Sequence, residues 1–385
     1  MSSTRIPAVF MRGGTSKGVF FHAHDLPQNP ALRDSLLLRL MGSPDPYGVQ
    51  IDGMGGGSSS TSKVVVMSRS RRAGHDVDYL FGAVAIEAGR IDWSGNCGNL
   101  SAAVGPFAIA QGLVEAPRDG AATVRIWQAN LGKTIVATVP MRDGEVCESG
   151  DFMLDGVAFP AGEVRLEFLD PAGGDSGTDG GATLFPTGRP IDTLQVPGIG
   201  RIEATLIDAG NPAVFVDAVA LDLTGVELRE HVNGDAALLA RAELLRAHAA
   251  VAMGLAPDAA TATRDRPATP KLAFFARRKT YTASDGREVR QEAIDLVARI
   301  FSMGRLHHAM TGTGAIAIAS AAAVPGTVLS RLLPDAPQCI AFGHPSGVTR
   351  VEADVSQVDG VWTIRRVALS RSARVLMTGQ VHLPR

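Results

Sequence analysis

The sequence predicts an α+β protein built from two similar domains, and three observations carry that prediction. Its 385 residues exceed one ordinary hydrophobic core and suit two domains of roughly 100–200 residues each. Short β-branched or apolar runs, separated by Gly, Pro, Asp and Asn, recur along the whole chain. Two helical stretches, Ser101–Ala110 and Ala315–Val324, are apolar nearly all round, and a helix without a polar face is a buried helix. Each follows a Gly-rich turn, Ser94-Gly-Asn-Cys-Gly-Asn99 or Met310-Thr-Gly-Thr-Gly314, so one structural unit is read as used twice.

In chain order, the predicted strands are Val64–Met67, Thr123–Trp127, Thr134–Val139, Val164–Phe168, Arg201–Ile207, Ala213–Val216, Lys271–Phe275 and Trp362–Val367. Helical periodicity is strongest at Pro30–Met41, Ser101–Gln111, Ala236–Met253, Ile294–Ser302 and Ala315–Ala323. The stretch Pro171–Gly181 consists of turn formers with almost nothing to bury, and reads either as a domain boundary near residue 183 or as a long surface loop.

Composition narrows the function. Apolar residues at 45% and charged residues at 20% are the mix of a folded protein rather than a disordered one. Lys and Arg number 37 against 39 Asp and Glu, with no basic run able to track phosphates, so nucleic acid is not an expected partner. The short clusters Arg69–Arg72 and Arg277–Lys279 read as solvated surface. Three cysteines, Cys97, Cys147 and Cys339, form neither a disulfide framework nor a zinc spacing. Residues 1–10 lack an export pattern, and the most apolar stretch, Ala315–Val328, is too short to span a bilayer. A cytoplasmic protein without membrane association is therefore expected.

The turn before a buried helix offers free N–H groups and the positive end of the helix dipole, which suits an anion. Two such turns suit a substrate with several carboxylates. Cys97 lies in the first, where those groups favour a thiolate. Lys63 closes the hydroxyl-rich run Gly55–Ser62 and opens an apolar strand, where burial would disfavour its charge and fit it for a general base. A solvated lysine at a strand edge is the plainer reading of that segment. Met11–Gly18 lacks the spacing of a nucleotide P-loop, and no Gly-x-Gly-x-x-Gly opens a helix, so neither ATP nor a dinucleotide is expected. His307 and His308, taken as strand neighbours, would point to opposite faces and so would not share a metal ion. One histidine as carboxylate donor or proton carrier fits better.

Several motifs together resemble the 2-methylaconitate cis-trans isomerase family. They are Met11–Gly18, Ile51-Asp-Gly-Met-Gly-Gly56, Ser60–Lys63, Asp92–Phe107, Phe185-Pro-Thr-Gly188, Ser302–His308 and Ser370-Arg-Ser-Ala-Arg374, and the likeness runs from near residue 6 to near residue 383. That family is similar in fold to diaminopimelate epimerase, which implies a β-barrel-like sheet around each central apolar helix. The implied domains are residues 1–183, with a returning strand in 375–385, and 184–374.

The epimerases use one cysteine per domain. Here the second position is Thr311, so two-thiol chemistry is disfavoured. The resemblance implies instead that Lys63 removes a proton beside a conjugated system of a small tricarboxylate, with Cys97 as the second catalytic residue and no cofactor or metal. It also implies substrate contacts from Thr15, Ser16, Ser60, Thr61, Ser62, Asn96, Gly98, Lys271, Ser302, His308, Thr311 and Gly312. A homodimer, and a functional link to a methylcitrate dehydratase in propionate catabolism, are further expectations. A 4-oxalomesaconate tautomerase or Δ-isomerase, and a non-catalytic tricarboxylate-binding protein, are the alternatives.

Overall fold

A computed structural model describes residues 4–173 and 183–383. Most of the turn-rich stretch Pro171–Gly181 lies outside the described residues. The chain divides into two compact units, Met1–Leu166 with Ser370–Arg385, and Glu167–Leu369. The division points fall within the strands Val164–Leu169 and Val361–Arg371.

In the first unit, Ala373–Leu383 pairs antiparallel with Thr4–Gly13, which forms a hairpin with Ser16–His22. Ser16–His22 runs parallel to Lys63–Arg69, which is antiparallel to Val77–Val84. Val77–Val84 is then parallel to Gly120–Gln128, which is antiparallel to Lys133–Arg142. The first parallel crossover carries the helix Pro30–Met41. It begins with a proline after Asn29, whose side chain accepts the Leu32 N–H at 3.2 Å, and ends on Gly42 in the left-handed conformation. Its Leu37, Leu40 and Met41 pack with Val19, Val64 and Val66. The second crossover carries the helix Ser101–Ala110, which touches strands from both ends of this order, Thr4–Gly13 and Ala373–Leu383 as well as Gly120–Gln128 and Lys133–Arg142. The sheet is therefore wrapped around it. Covered on both faces, Lys63–Arg69 is buried from Lys63 to Met67 without alternation.

The second unit repeats the plan. Gly200–Ala209 and Asn211–Asp217 form a hairpin, and Asn211–Asp217 runs parallel to Lys271–Arg277. Lys271–Arg277 is antiparallel to Leu296–Ser302, which is parallel to Cys339–His344, itself antiparallel to Gly347–Val358. The helices Arg229–Gly234, Ala236–Ala252 and Ala259–Asp265 fill the first crossover. The second holds the helix Gly312–Ala322, buried along its whole length against Gly200–Ala209, Asn211–Asp217 and Gly347–Val358.

One predicted helix is a strand. Ile294–Ser302 was expected to be helical, but Leu296–Ser302 is a central strand with every residue buried. A strand covered on both faces loses the period-2 alternation, and a short apolar run then mimics a buried helical turn. Among the described residues, no helix is long and apolar enough to cross a membrane.

Candidate active site

Lys63 opens its strand with only 8% of its surface exposed, and its ammonium has no hydrogen bond or ion pair among the described residues. Its Nζ lies over the Phe81 ring, 5.0 Å from the ring centroid. Phe81 is held in turn by Asn130, whose Oδ1 accepts the Phe81 N–H at 2.9 Å while its Nδ2 donates to the Phe81 and Trp93 carbonyls at 2.9 and 2.8 Å. Sequence reasoning missed both Phe81 and Asn130, because an aromatic inside a strand looks like core and an asparagine after one looks like a turn.

Gly18 lies between Lys63 and the side chain of Leu100, the residue that leads into the buried helix. A Cβ there would lie 2.9 Å from the Lys63 carbonyl, 3.1 Å from Lys63 Cβ and 3.0 Å from Leu100 Cδ1. Only glycine leaves the strand and the helix mouth this close. Leu100 N–H donates to Cys97 Sγ at 3.4 Å, and Ser101 N–H to the Cys97 carbonyl at 2.9 Å. Cys97 thus closes the turn that leads into the buried helix, whose N-cap residue is Leu100. Ser101 Oγ donates to the Cys97 carbonyl at 3.0 Å and to Asn96 Oδ1 at 3.5 Å. The Tyr79 hydroxyl also donates to the Cys97 carbonyl, at 3.4 Å. Burial, with Cys97 next in importance, pushes the Tyr79 phenol well above its usual range, so it stays neutral.

The other predicted residues of the first unit are held in different ways. Thr15 Oγ1 accepts Asn99 Nδ2 at 3.0 Å, and Ser16 is buried beside it at the hairpin. Ser60 bonds Ser58 Oγ at 3.0 Å, Thr61 bonds the same hydroxyl at 2.8 Å, and Gly98 is buried in the turn. Ser62 is committed to the scaffold: it accepts Gln50 Nε2 at 2.8 Å and donates to the Val84 carbonyl at 3.0 Å.

The second unit carries the matching positions. Lys271 opens the strand equivalent to that of Lys63, and the two segments, KVVVMSR and KLAFFAR, share one burial pattern. The two lysines differ, because Lys271 Nζ donates to the Ala268 carbonyl at 3.1 Å. Thr311 is the counterpart of Cys97: its Oγ1 accepts the Gly314 N–H at 3.1 Å and its carbonyl accepts the Ala315 N–H at 2.9 Å, with Gly312 as the first helical residue. Ser302 ends its strand before the tight turn at Met303 and Gly304, where both φ angles are positive, 54° and 73°.

The histidines require a correction. His307 and His308 follow the strand Arg305–Leu306 rather than lying in one, and their rings stack at 4.6 Å and 24° instead of pointing apart. Burial, and behind it Arg229, lowers the His308 pKa, so its imidazole stays neutral near neutral pH. Among the described residues, no three His, Cys, Asp or Glu side chains gather as a metal site would need.

Residues 3–384 match the model of a family described as "PrpF protein". The 2-methyl-aconitate isomerase of Shewanella oneidensis is 55% identical over 390 residues, 99% of this chain and 97% of that protein. The 2-methyl-aconitate isomerase of Cupriavidus necator is 53% identical over 99% and 97% of the two chains. The 4-oxalomesaconate tautomerase of Pseudomonas putida is 39% identical over 100% and 98%. Among solved structures, a methylitaconate-delta-isomerase superposes with a TM-score of 0.77 at 38% identity, covering 100% of this chain and 96% of that one. A probable proline racemase at 15% identity, with a TM-score of 0.56 over 98% and 93% of the two chains, shares the fold alone. The fold is thus α+β and diaminopimelate-epimerase-like, each half a sheet wrapped around an apolar helix.

Proposed function

Because the chain belongs to the PrpF protein family and is an isomerase, we propose that it converts 2-methyl-trans-aconitate to 2-methyl-cis-aconitate. The observation that carries the mechanism is Lys63, a buried amine without a hydrogen bond or ion pair among the described residues, on a strand that meets Gly18 where the side chain of Leu100, at the mouth of the apolar helix, also packs. Lys63 takes a proton from the carbon next to the double bond. The electron pair spreads through that bond into the adjoining carboxylate, the former double bond rotates, and a proton returns. Charge moves onto an already anionic substrate, so fixed donors must meet it. The N–H groups of the Cys97 turn and Cys97 itself serve that role, with Thr15, Ser16, Ser60, Thr61, Ser62, Asn96 and Gly98 around them. Lys271, Ser302, His308, Thr311 and Gly312 are proposed as carboxylate-holding residues of the second unit.

The reaction neither oxidises nor reduces the substrate. We place it in propionate catabolism in the cytoplasm, downstream of a methylcitrate dehydratase, with the protein acting as a homodimer. The identity gradient, 55% to the methylaconitate enzyme against 39% to the tautomerase, favours this substrate. Purified protein should be mixed separately with trans-aconitate and with 4-oxalomesaconate, without added cofactor, and followed by NMR. Turnover of the first supports the assignment, and turnover of the second alone overturns it.

A further inference from the structure

One edge of the strand Val77–Val84 is taken by Lys63–Arg69 along its whole length, and the other has a gap. On that second edge Val77–Tyr79 run parallel to Ile126–Gln128, while Ala83 and Val84 pair with Asp92 and Ile91. Phe81 stands between the two pairings, and its backbone is met there by a side chain. Asn130 Oδ1 accepts the Phe81 N–H and Asn130 Nδ2 donates to the Phe81 carbonyl, both at 2.9 Å. A carboxamide offers donors and acceptors as a peptide group does, so one asparagine supplies the missing rung of the ladder. The rest of its capacity is used as well: Oδ1 accepts from Gln128 Nε2, and Nδ2 donates to the Trp93 carbonyl at 2.8 Å. Gln128 is itself fully buried and holds the Leu131 N–H at 2.8 Å, which fixes the amide from its own side.

What this clamp holds is the ring beneath the proposed base. Lys63 lies opposite Ala83 and Val65 opposite Phe81, so Lys63 and Phe81 are diagonal neighbours on one face, within reach of a long side chain. Ala83 presents only a methyl group, and Lys63 Nζ lies over the Phe81 ring instead. A ring face seats a lysine nitrogen without engaging its N–H groups in hydrogen bonds, which leaves them for a ligand.

The second unit is built differently at this point. Its register sets Ile300 opposite Ala273, where the first unit sets Phe81 opposite Val65. The Ile300 carbonyl accepts a backbone donor, the His307 N–H at 2.9 Å, and Lys271 Nζ donates to the Ala268 carbonyl. A ring at this register position, fixed by a side-chain amide, belongs to the half that carries the proposed base.

We propose that Phe81 and Asn130 are positioning residues for the Lys63 amine, Phe81 as the seat under Nζ and Asn130 as the clamp that fixes the seat. The inference rests on Lys63 being the base of the proposed isomerase.

The test joins turnover of trans-aconitate to a spectroscopic marker. Protein labelled with carbon-13 at lysine Cε gives NMR signals for Lys17, Lys63, Lys133, Lys271 and Lys279, and Lys63→Met identifies the one that belongs to Lys63. Lying over a ring, the Lys63 ε-protons should resonate upfield, and they should move back in Phe81→Leu and in Asn130→Ala. In the same variants kcat should fall about 10–100-fold with KM held within about threefold, the signature of a misplaced catalytic group rather than of weaker binding. Asn130→Asp, which keeps the acceptors and loses both donors, serves where the alanine variant does not fold. A folded Asn130 variant whose Lys63 signal stays in place overturns the proposal, whatever its kcat. A signal that moves while kcat stays parental overturns it too. Parental turnover in Lys63→Met would sink the proposed mechanism instead, and the Lys63 signal in Asn130→Ala would still decide whether the clamp sets the amine.

Discussion

Replacing Gly14 by alanine tests how tightly the hairpin and the Cys97 turn are fitted. Gly14 sits at φ +53°, and an added Cβ would lie 2.5 Å from Asn99 Oδ1 and 2.9 Å from Asn99 Cγ. The left-handed conformation costs an alanine roughly 1–2 kcal/mol. Forcing a methyl against an amide held by both Arg371 and Thr15 adds roughly 1–3 kcal/mol. Restricting the unfolded chain returns roughly 0.4–1 kcal/mol. The net is a loss of about 3 kcal/mol. At about 2–4 °C per kcal/mol for a unit of this size, melting should fall by about 6–12 °C.

Gly74→Ala is the matched control. Its φ is +77° with nothing within 4 Å of the added Cβ, so only the backbone cost applies, about 1 kcal/mol or less after the same offset. The two variants should be compared by calorimetry and by turnover of trans-aconitate. Gly14→Ala must also lose activity, on the order of a hundredfold, because pushing Asn99 by about 1 Å moves the Cys97 turn with it. If Gly14→Ala melts with Gly74→Ala and keeps parental turnover, the steric reasoning is refuted.

Lys63→Met keeps the apolar stem and removes the proposed base; kcat should drop about 10²–10⁴-fold with no loss of melting temperature, and parental turnover would remove Lys63 from the mechanism. Thr311→Ala should cost about 1 kcal/mol by taking the cap from the Gly314 N–H, while Thr311→Ser keeps it; equal melting of the two would show that the cap contributes nothing. The lowered pKa of His308 means that the folded state binds fewer protons than the unfolded state below about pH 6.5. Stability should therefore decline as pH falls through that point, and His308→Gln should flatten the decline; an unchanged pH dependence of melting would assign it to other groups.

Much of the fold was legible because the strands and the two apolar helices carry their own signals. Ser101–Ala110 has no polar face, and its burial on every side followed from that alone. Leu296–Ser302 was not legible, since a strand covered on both faces has no period to read. Cys97 could be found from the turn around it. Lys63 could not be told from an edge lysine until the strand was seen to be covered on both sides. The parallel between Lys63 and Lys271 was present as KVVVMSR and KLAFFAR, but two seven-residue segments with few identities do not reveal a duplication unaided. Arg371 gave no signal, because an arginine near a strand end is usually solvated and its grip on Asn99 spans 272 positions.

The pairing of Ala373–Leu383 with Thr4–Gly13 has a consequence for how the molecule is made on the ribosome. Glu167–Leu369 is one continuous stretch and can close its sheet as it emerges. The first unit cannot, because the strand that pairs with Thr4–Gly13 is synthesised only after all of Glu167–Leu369. At a typical elongation rate of about 5–20 residues per second, Thr4–Gly13 waits roughly 20–70 s with one side unpaired. An unpaired strand edge is a template for association with other chains. A nascent chain halted before residue 373 should therefore be the aggregation-prone and chaperone-dependent form, although it already contains Lys63, Cys97 and both apolar helices.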